Sequence, residues 1–187
     1  MKHIIKPALS LFFIATIITT LLAFSYNRTL EPIAAQIRKM QEKTMKEIMP
    51  EASGYREIPV EKTGNIVRVF EGLKGGEITG YVIELAPPGY SGAINMMAGI
   101  SKAENKITGM RVLRHTETPG LGALAVKENF YRKFDGKNLT PLKVVKNSPG
   151  ADEIEAMTGA TITTRAITNA VNEAIEWYNI YEVDKEL

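Results

Sequence analysis

The hydrophobic pattern of the chain begins with one long apolar run. From Pro7 to Asn27 there is no charged residue, and Leu, Ile, Phe, Ala and Thr make up most of the segment. These 21 residues match the roughly 20 that a helix needs to cross about 30 Å of hydrocarbon. The pattern therefore predicts a membrane-spanning helix, which with its N-terminal tip occupies residues 1–28.

The charges beside this run predict its orientation. Lys2 and Lys6 precede it and favour a cytoplasmic N-terminus, although Arg28, Arg38 and Lys39 on the far side weaken the bias. A cleaved signal peptide is the alternative, but the run exceeds a typical signal core and no A-x-A cleavage site follows it. We therefore expect a retained single-pass anchor in the cytoplasmic membrane, with everything after Asn27 outside the cytoplasm.

The segment that follows the apolar run has helical periodicity. Pro32 stands where a first helical turn tolerates proline, and Pro50 stands where a helix would end. Apolar residues recur at helical spacing at Leu30, Ile33, Ala34, Ile37, Met40, Met45 and Ile48, with Glu and Lys on the opposite face. We interpret residues 29–50 as a stalk helix that serves as a plain amphipathic connector.

The third part, residues 51–187, mixes strand and helix patterns. Short strands are predicted at 66–70, 79–85 and 142–146, a hairpin at 93–100 and 106–113, and helices at 124–134 and 164–181. The glycine-rich turn at 72–76 lacks the spacing and the trailing Lys-Ser/Thr of a phosphate-binding P-loop. Hairpin-paired strands with separate helices favour an α+β fold over a doubly wound sheet.

Composition excludes several kinds of site. The chain has no cysteine, which rules out disulfides, thiol catalysis and iron–sulfur ligation by its own residues. Its two histidines, His3 and His115, poorly support a zinc site or a catalytic triad, and we predict no metal site. The net charge is +2 and no basic run is interleaved with aromatics, so we expect no nucleic-acid partner.

One candidate site is the turn at 158–163, before the last amphipathic helix. Gly159 and Ala160 would let a bulky group approach the backbone, and Arg165 would add a cation. Hydroxyls come from Thr158, Thr161, Thr163 and Thr164. A helix N-terminus attracts phosphate, but Thr161 or Thr163 could simply cap the helix. On these residues alone, capping is the better interpretation.

A second candidate is the loop at 115–122, directly after the second hairpin strand. Pro119 fixes one backbone angle, while Gly120 and Gly122 permit positive φ, so the loop has a defined shape that exposes backbone polar groups. Taken alone, a tight connection with a solvated Glu117 is as good an interpretation as a binding loop.

Together, the two segments resemble a known family. Glu-Thr-Pro-Gly-Leu-Gly at 117–122, followed by Thr-Gly-Ala-Thr-Ile-Thr at 158–163, is similar to the FMN-binding domain of bacterial electron-transport subunits. The G subunit of the Rnf complex, with its anchor, stalk and flavin domain, is the most similar. Gly-Tyr-Ser-Gly-Ala-Ile at 89–94 and Lys-Ile-Thr-Gly-Met at 106–110 add to a likeness that covers essentially the whole chain.

The resemblance implies particular site residues. In that family FMN is joined through its phosphate to the last Thr of a Ser/Thr-Gly-Ala-Thr motif, which falls here on Thr161. Further cofactor-binding residues are expected at Glu117, Thr118, Leu121, Gly122, Thr158, Gly159, Ala160 and Thr163. Lys143 and Lys146 are added because they lie on the predicted strand before the motif, from which they could reach the flavin or the phosphate. The family usually has Asp three positions before the Ser/Thr; here Glu155 stands there, and Thr158 replaces the commoner Ser.

The resemblance also implies a function without a catalytic residue in this chain. A flavin transferase would attach the FMN, using FAD as donor. The mature protein would relay electrons between iron–sulfur and flavin subunits that connect ferredoxin to NAD⁺, coupled to Na⁺ or H⁺ movement. His115 and Glu117 are candidates for tuning the flavin, although positioning the loop is their favoured role.

Three alternatives remain open at this point. The chain could be the related C subunit of the Na⁺-translocating NADH:quinone oxidoreductase, or another extracytoplasmic flavin relay. From a different class, it could be an anchored, flavin-free binding or scaffold module.

Overall fold

The computed structural model describes residues 2–60 and 63–186 and divides the chain into two compact units, Met1–Gln41 and Glu42–Leu187. Met1 and Leu187, the outer limits of the expected domains, and the side chain of Lys2 lie outside the described part. The second unit begins at Glu42 rather than at residue 51, because the last turns of the first helix pack into its core.

The first helix, α1 (Lys2–Ile48), runs without interruption through the predicted membrane segment and stalk. The expectation that Pro32 begins a new helix is therefore wrong, since Pro7 and Pro32 both lie inside α1. Within the described residues, this is the one helix long and apolar enough to cross a membrane.

Some hydroxyl groups in the apolar run donate to backbone carbonyls one turn earlier in the helix. Thr16 donates to the carbonyl of Phe12, and Thr20 donates to that of Thr16, each at 2.8 Å. Such i−4 hydrogen bonds lower the cost of placing a hydroxyl in hydrocarbon. From Ile5 to Met40 every described side chain is exposed, as expected of a helix that a membrane or other chains would cover.

The second unit is built on a five-stranded antiparallel sheet with the order β1-β2-β3-β4-β5. The strands are β1 (Gly54–Ile58), β2 (Ile66–Lys74), β3 (Glu77–Leu85), β4 (Asn95–Ser101) and β5 (Lys106–Arg114). The predicted hairpin is β4–β5, and the glycine-rich turn shrinks to Gly75-Gly76 because Gly72 continues β2. A small parallel pair, β6 (Lys143–Val145) and β7 (Glu153–Glu155), completes the strands.

The last helix, α3 (Thr161–Glu186), covers one face of this sheet. Tyr81, Ile83 and Leu85 of β3 point toward it, with Ile167, Ala170, Val171, Ala174 and Ile175 of α3 in the same buried cluster. The α+β architecture follows from this alternation of apolar residues along the strands against the apolar stripe of the helix. The helix begins at Thr161, three residues before the predicted start at Thr164.

The opposite face of the sheet receives the end of α1. Met45, Ile48 and Met49 pack with Phe70, Val82 and Met97, which alternate along their strands with residues of the α3 face. Glycines on three neighbouring strands make room, because a Cβ at Gly72 or Gly80 would meet Met49 and one at Gly99 would meet Ile48.

The segment predicted as a helix over 124–134 is three short pieces. A 3-10 turn (Gly122–Val126) is followed by α2 (Glu128–Tyr131) and a second 3-10 turn (Arg132–Phe134). Lys127, with φ −81° and ψ 145°, is extended and interrupts the helix. Phe130 and Phe134 of this segment are buried and contact each other edge to face.

Candidate functional site

The N-terminus of α3 has no side-chain cap at its capping position. The first helical hydrogen bond runs from the Thr164 N–H to the Ala160 carbonyl at 3.0 Å, which makes Ala160 the capping residue. Alanine offers no side-chain acceptor, and the N–H groups of the first helical turn, residues 161–163, have no acceptor within the helix. Three backbone donors and the positive end of the helix dipole therefore meet at Thr161.

Thr163 and Thr164 use their hydroxyls in other hydrogen bonds and Thr161 lies past the capping position, which corrects the capping interpretation. Thr164 Oγ1 donates to the Ala160 carbonyl at 3.0 Å and accepts the Met157 N–H at 3.1 Å. Thr163 Oγ1 donates to Glu117 Oε2 at 2.5 Å. Thr161 is the first helical residue, so it is not at the capping position.

Glu117 lies buried beneath the turn, with 5% of its surface exposed. Its Oε1 accepts the Ser91 N–H at 2.9 Å, and its own N–H donates to His115 Nδ1 at 3.1 Å. Burial alone would raise the pKa of this carboxyl, but the hydrogen bonds from Thr163 and from the Ser91 and Tyr90 backbone, together with His115, bring the pKa below its ordinary value. Glu117 is therefore an ionised group enclosed by donors, and the interpretation of a solvated carboxylate is wrong.

A cavity of about 430 Å³ opens above this arrangement. The loop 117–122 and the start of α3 form most of its wall: Tyr90, Glu117, Thr118, Leu121, Gly122, Gly159, Ala160, Thr161, Ile162 and Thr163. The two segments touch directly, since Leu121 Cδ2 lies 2.9 Å from where a Cβ on Gly159 would be.

Eight of the eleven residues predicted from the sequence line this cavity. Thr158 is exposed and lines a separate hollow with Lys133 and Glu155. Lys143 on β6 and Lys146 just after it are not among the residues that line the cavity.

Two lining residues, Tyr90 and Ile162, were not singled out from the sequence. Tyr90 belongs to the segment 89–94, which the resemblance did mark, and Ile162 stands between two of the candidate threonines. Both are largely exposed, at 70% and 56%, as is Leu121 at 43%. Exposed apolar side chains at the rim of a cavity are typical of a ligand-binding surface.

Glu155, which replaces the family's usual Asp, is engaged in an ion pair. Lys133 Nζ lies 2.9 Å from Glu155 Oε2 and 3.3 Å from the Glu155 carbonyl. This contact ties the residues before the turn to the second 3-10 turn.

The donors and the apolar rim suit one kind of ligand. The amides of residues 161–163, which have no acceptor within the helix, match a phosphate group, and Arg165 adds an exposed cation one turn into the helix. Tyr90, Leu121 and Ile162 present apolar surface that suits a flat aromatic ring. A phosphate joined to a planar ring, as in FMN, fits both features.

A second cavity of similar volume lies along the C-terminal half of α3. Pro59, Ile66, Trp177 and Tyr181 contribute to its wall. Its α3 residues come from the interior of the helix, where the N–H groups are bonded, so this cavity does not offer the amide donors found at the first.

Comparison with known families and proteins finds two family models and several relatives that match the chain. A model of the RnfG N-terminal region matches residues 1–48, and one of the FMN-binding domain matches residues 89–176. The G subunit of the ion-translocating oxidoreductase complex of Methanosarcina acetivorans is 32% identical, over 97% of each chain. The G subunit of the Na⁺-translocating ferredoxin:NAD⁺ oxidoreductase complex of Acetobacterium woodii is 33% identical, over 95% of this chain and 92% of its own.

Solved structures with a similar fold include two C subunits. NqrC of Shewanella oneidensis is 25% identical with a TM-score of 0.51, over 56% of this chain and 53% of its own. The C subunit of the Na⁺-translocating NADH-quinone reductase of Parabacteroides distasonis is 27% identical with a TM-score of 0.50, over 59% of this chain and 60% of its own. The match to the G subunits extends over nearly the entire sequence, whereas the match to the C subunits does not. The chain therefore belongs to the family of G subunits of ion-translocating oxidoreductase complexes, and it carries that family's FMN-binding domain.

Proposed function

We propose that this chain is the membrane-anchored flavin relay of an ion-translocating ferredoxin:NAD⁺ oxidoreductase complex, with FMN joined through its phosphate to Thr161. The supporting observation is the position of Thr161, which lies in the first turn of α3 beside three amides without helical acceptors and lines the cavity. The relatives support the assignment to this kind of complex, because the relative in Acetobacterium woodii is the G subunit of a Na⁺-translocating ferredoxin:NAD⁺ oxidoreductase complex.

Each part of the cavity wall has its own role in this proposal. The amides of residues 161–163 bind the phosphate, while Tyr90, Leu121 and Ile162 shield the ring from water. Thr118 and Gly122 complete the wall between them. FMN would supply the exchange of one or two electrons, so the protein needs no general acid, nucleophile or metal of its own.

Attachment requires a separate enzyme and a donor. We propose that Thr161 Oγ1 forms a bond to the FMN phosphorus of FAD in the active site of a flavin transferase. The phosphoanhydride bond to AMP breaks, AMP leaves, and the hydroxyl proton is released to solvent. A covalent link suits an extracytoplasmic site, because a dissociated flavin there would not be readily replaced.

The proposed topology has one membrane crossing. Residues 7–27 lie in lipid, the N-terminus faces the cytoplasm, and the FMN-binding domain lies outside, next to iron–sulfur and flavin subunits. The alternative complex is a Na⁺-translocating NADH:quinone oxidoreductase, whose C subunits are similar to 56% and 59% of this chain. Neighbouring genes would decide between them.

Flavin fluorescence on a denaturing gel tests the covalent link. We expect a fluorescent band from native membranes that is lost in Thr161→Val, which keeps the shape of the side chain without its hydroxyl, and is retained in Thr161→Ser. A wild-type band without fluorescence would contradict the covalent link. A fluorescent Thr161→Val band would move the attachment point to another residue.

A further inference from the structure

The carboxylate of Glu117 joins three segments that are far apart in the sequence. Its Oε2 accepts the Thr163 hydroxyl of α3 at 2.5 Å, and its Oε1 accepts the Ser91 N–H at 2.9 Å. The Thr116 hydroxyl donates to the Ser91 carbonyl at 3.2 Å and ties the same two loops together. The loops 89–92 and 115–122 and the first turn of α3 are thus bound at one side chain.

The surrounding backbone encloses both carboxylate oxygens. A Cβ on Gly89 would stand 2.5 Å from Oε1, and a Cβ on Gly122 would overlap Oε2. Only residues without a side chain permit this approach. The carboxylate is therefore committed to its protein partners rather than directed at a ligand.

The two threonines of the first helical turn have different environments. Thr163 is 1% exposed and donates its hydroxyl to Glu117, whereas Thr161 is half-buried in the cavity wall. Residues two apart on a helix face different sides, so fixing Thr163 against Glu117 fixes the direction of Thr161.

We infer that Glu117 is the positioning residue for flavin attachment: by binding Thr163 it fixes the first turn of α3 so that Thr161 is the hydroxyl presented to the transferase. This inference rests on the proposed role of Thr161 as acceptor. Glu117 takes no part in the bond changes described above. Its contribution is to hold the acceptor hydroxyl in one orientation. This matters because a displacement of a reacting group by about 1 Å can lower the reaction rate by a large factor.

The test measures attachment to the full chain, purified without flavin in detergent and incubated with the transferase and FAD. Trypsin would release residues 147–165 as one peptide, whose FMN adduct reports the rate at Thr161. Glu117→Gln cannot accept from both Thr163 and Ser91, and Thr163→Val removes the other partner. We expect each variant to slow attachment about tenfold, and the double variant to be no slower than either single one.

Two further variants separate positioning from general stability. Thr163→Ser keeps the hydroxyl and should be labelled near the wild-type rate. Glu173→Gln is the matched control, because Glu173 lies on the same helix and accepts the Asn65 N–H at 2.8 Å and the Asn65 side chain at 2.6 Å, away from the first cavity. We expect Glu173→Gln to lower thermal stability without slowing attachment.

The outcomes distinguish this inference from the proposed function. Wild-type labelling in Glu117→Gln, or equal slowing in Glu117→Gln and Glu173→Gln, would overturn the positioning role while leaving Thr161 as acceptor. A wild-type peptide without any adduct would overturn the proposed function itself.

Discussion

Leu121 packs directly against Gly159, with its Cδ2 2.9 Å from the position that a Cβ at residue 159 would take. This contact joins the loop 117–122 to the turn before α3 and forms part of the cavity wall. Gly159 also has φ +74°, a left-handed conformation that costs other residues roughly 1–2 kcal/mol.

The Gly159–Leu121 contact predicts an effect beyond backbone strain. Gly159→Ala should lower the free energy of unfolding by more than Gly120→Ala, whose φ of +78° is similar but whose Cβ would meet nothing within 4 Å. Chemical denaturation followed by the fluorescence of Trp177, the single tryptophan, measures both. Adding Leu121→Ala to Gly159→Ala should remove the excess loss of unfolding free energy. Equal losses of unfolding free energy in Gly159→Ala and Gly120→Ala would show that the contact contributes nothing.

Glu117 predicts a specific pH dependence of stability. The pKa of its carboxyl in the folded state lies below the ordinary value of 4.5. The ionised carboxylate therefore contributes stability above that ordinary value and loses it as the pH falls through the folded-state pKa. Glu117→Gln resembles the protonated side chain, so the stability difference from wild type should be largest near neutral pH and shrink in acid. A difference that stays constant down to about pH 3 would contradict this assignment.

The groove for the end of α1 predicts intolerance at Gly99. A methyl group there would overlap Ile48 and Thr108, and Ile48 is 1% exposed. Gly99→Ala should therefore cost about 1–3 kcal/mol, the usual penalty of overpacking. Gly54→Ala is the control, since its Cβ would meet nothing within 4 Å and should change stability little. Equal stability of the two variants, measured by denaturation, would contradict close packing of α1 on the sheet.

The proposed topology predicts where a reporter is active. Alkaline phosphatase fused after Leu187 needs export for activity, so the full-length fusion should be active, and deleting residues 1–28 should abolish that activity. The opposite orientation would be indicated if the phosphatase fusion were inactive and a reporter that is active only in the cytoplasm were active at the same position.

The sequence predicted the parts of the fold in which periodicity is strong. The β4–β5 hairpin and α3 are confirmed because their apolar positions repeat at the period of the element. Strand β1 (GYREI) was missed because it has little apolar alternation at the edge of the sheet, and β7 (EIE) because it has a single apolar residue. The helix over 124–134 is interrupted because Lys127 has an extended backbone, which the pattern of apolar residues does not indicate.

The candidate site shows a similar division. Residues of the two short motifs, such as Thr161 and Leu121, line the cavity because the residues of a short segment stay close together in the fold. Lys143 and Lys146 were predicted from proximity in the sequence, which does not specify the direction of a side chain. The bonding of Glu117 to Thr163 and Ser91 joins segments that are 46 and 26 residues apart, and only the folded chain reveals it.

The most direct test of the central claim is mass spectrometry of one peptide from native membranes. Trypsin cleaves after Lys146 and Arg165, so residues 147–165 form a single fragment that contains all the candidate acceptors up to Thr164. The account predicts that this fragment carries one FMN phosphoester, located by fragmentation on Thr161. An unmodified fragment, or an adduct on Thr158 or Thr163, would contradict it.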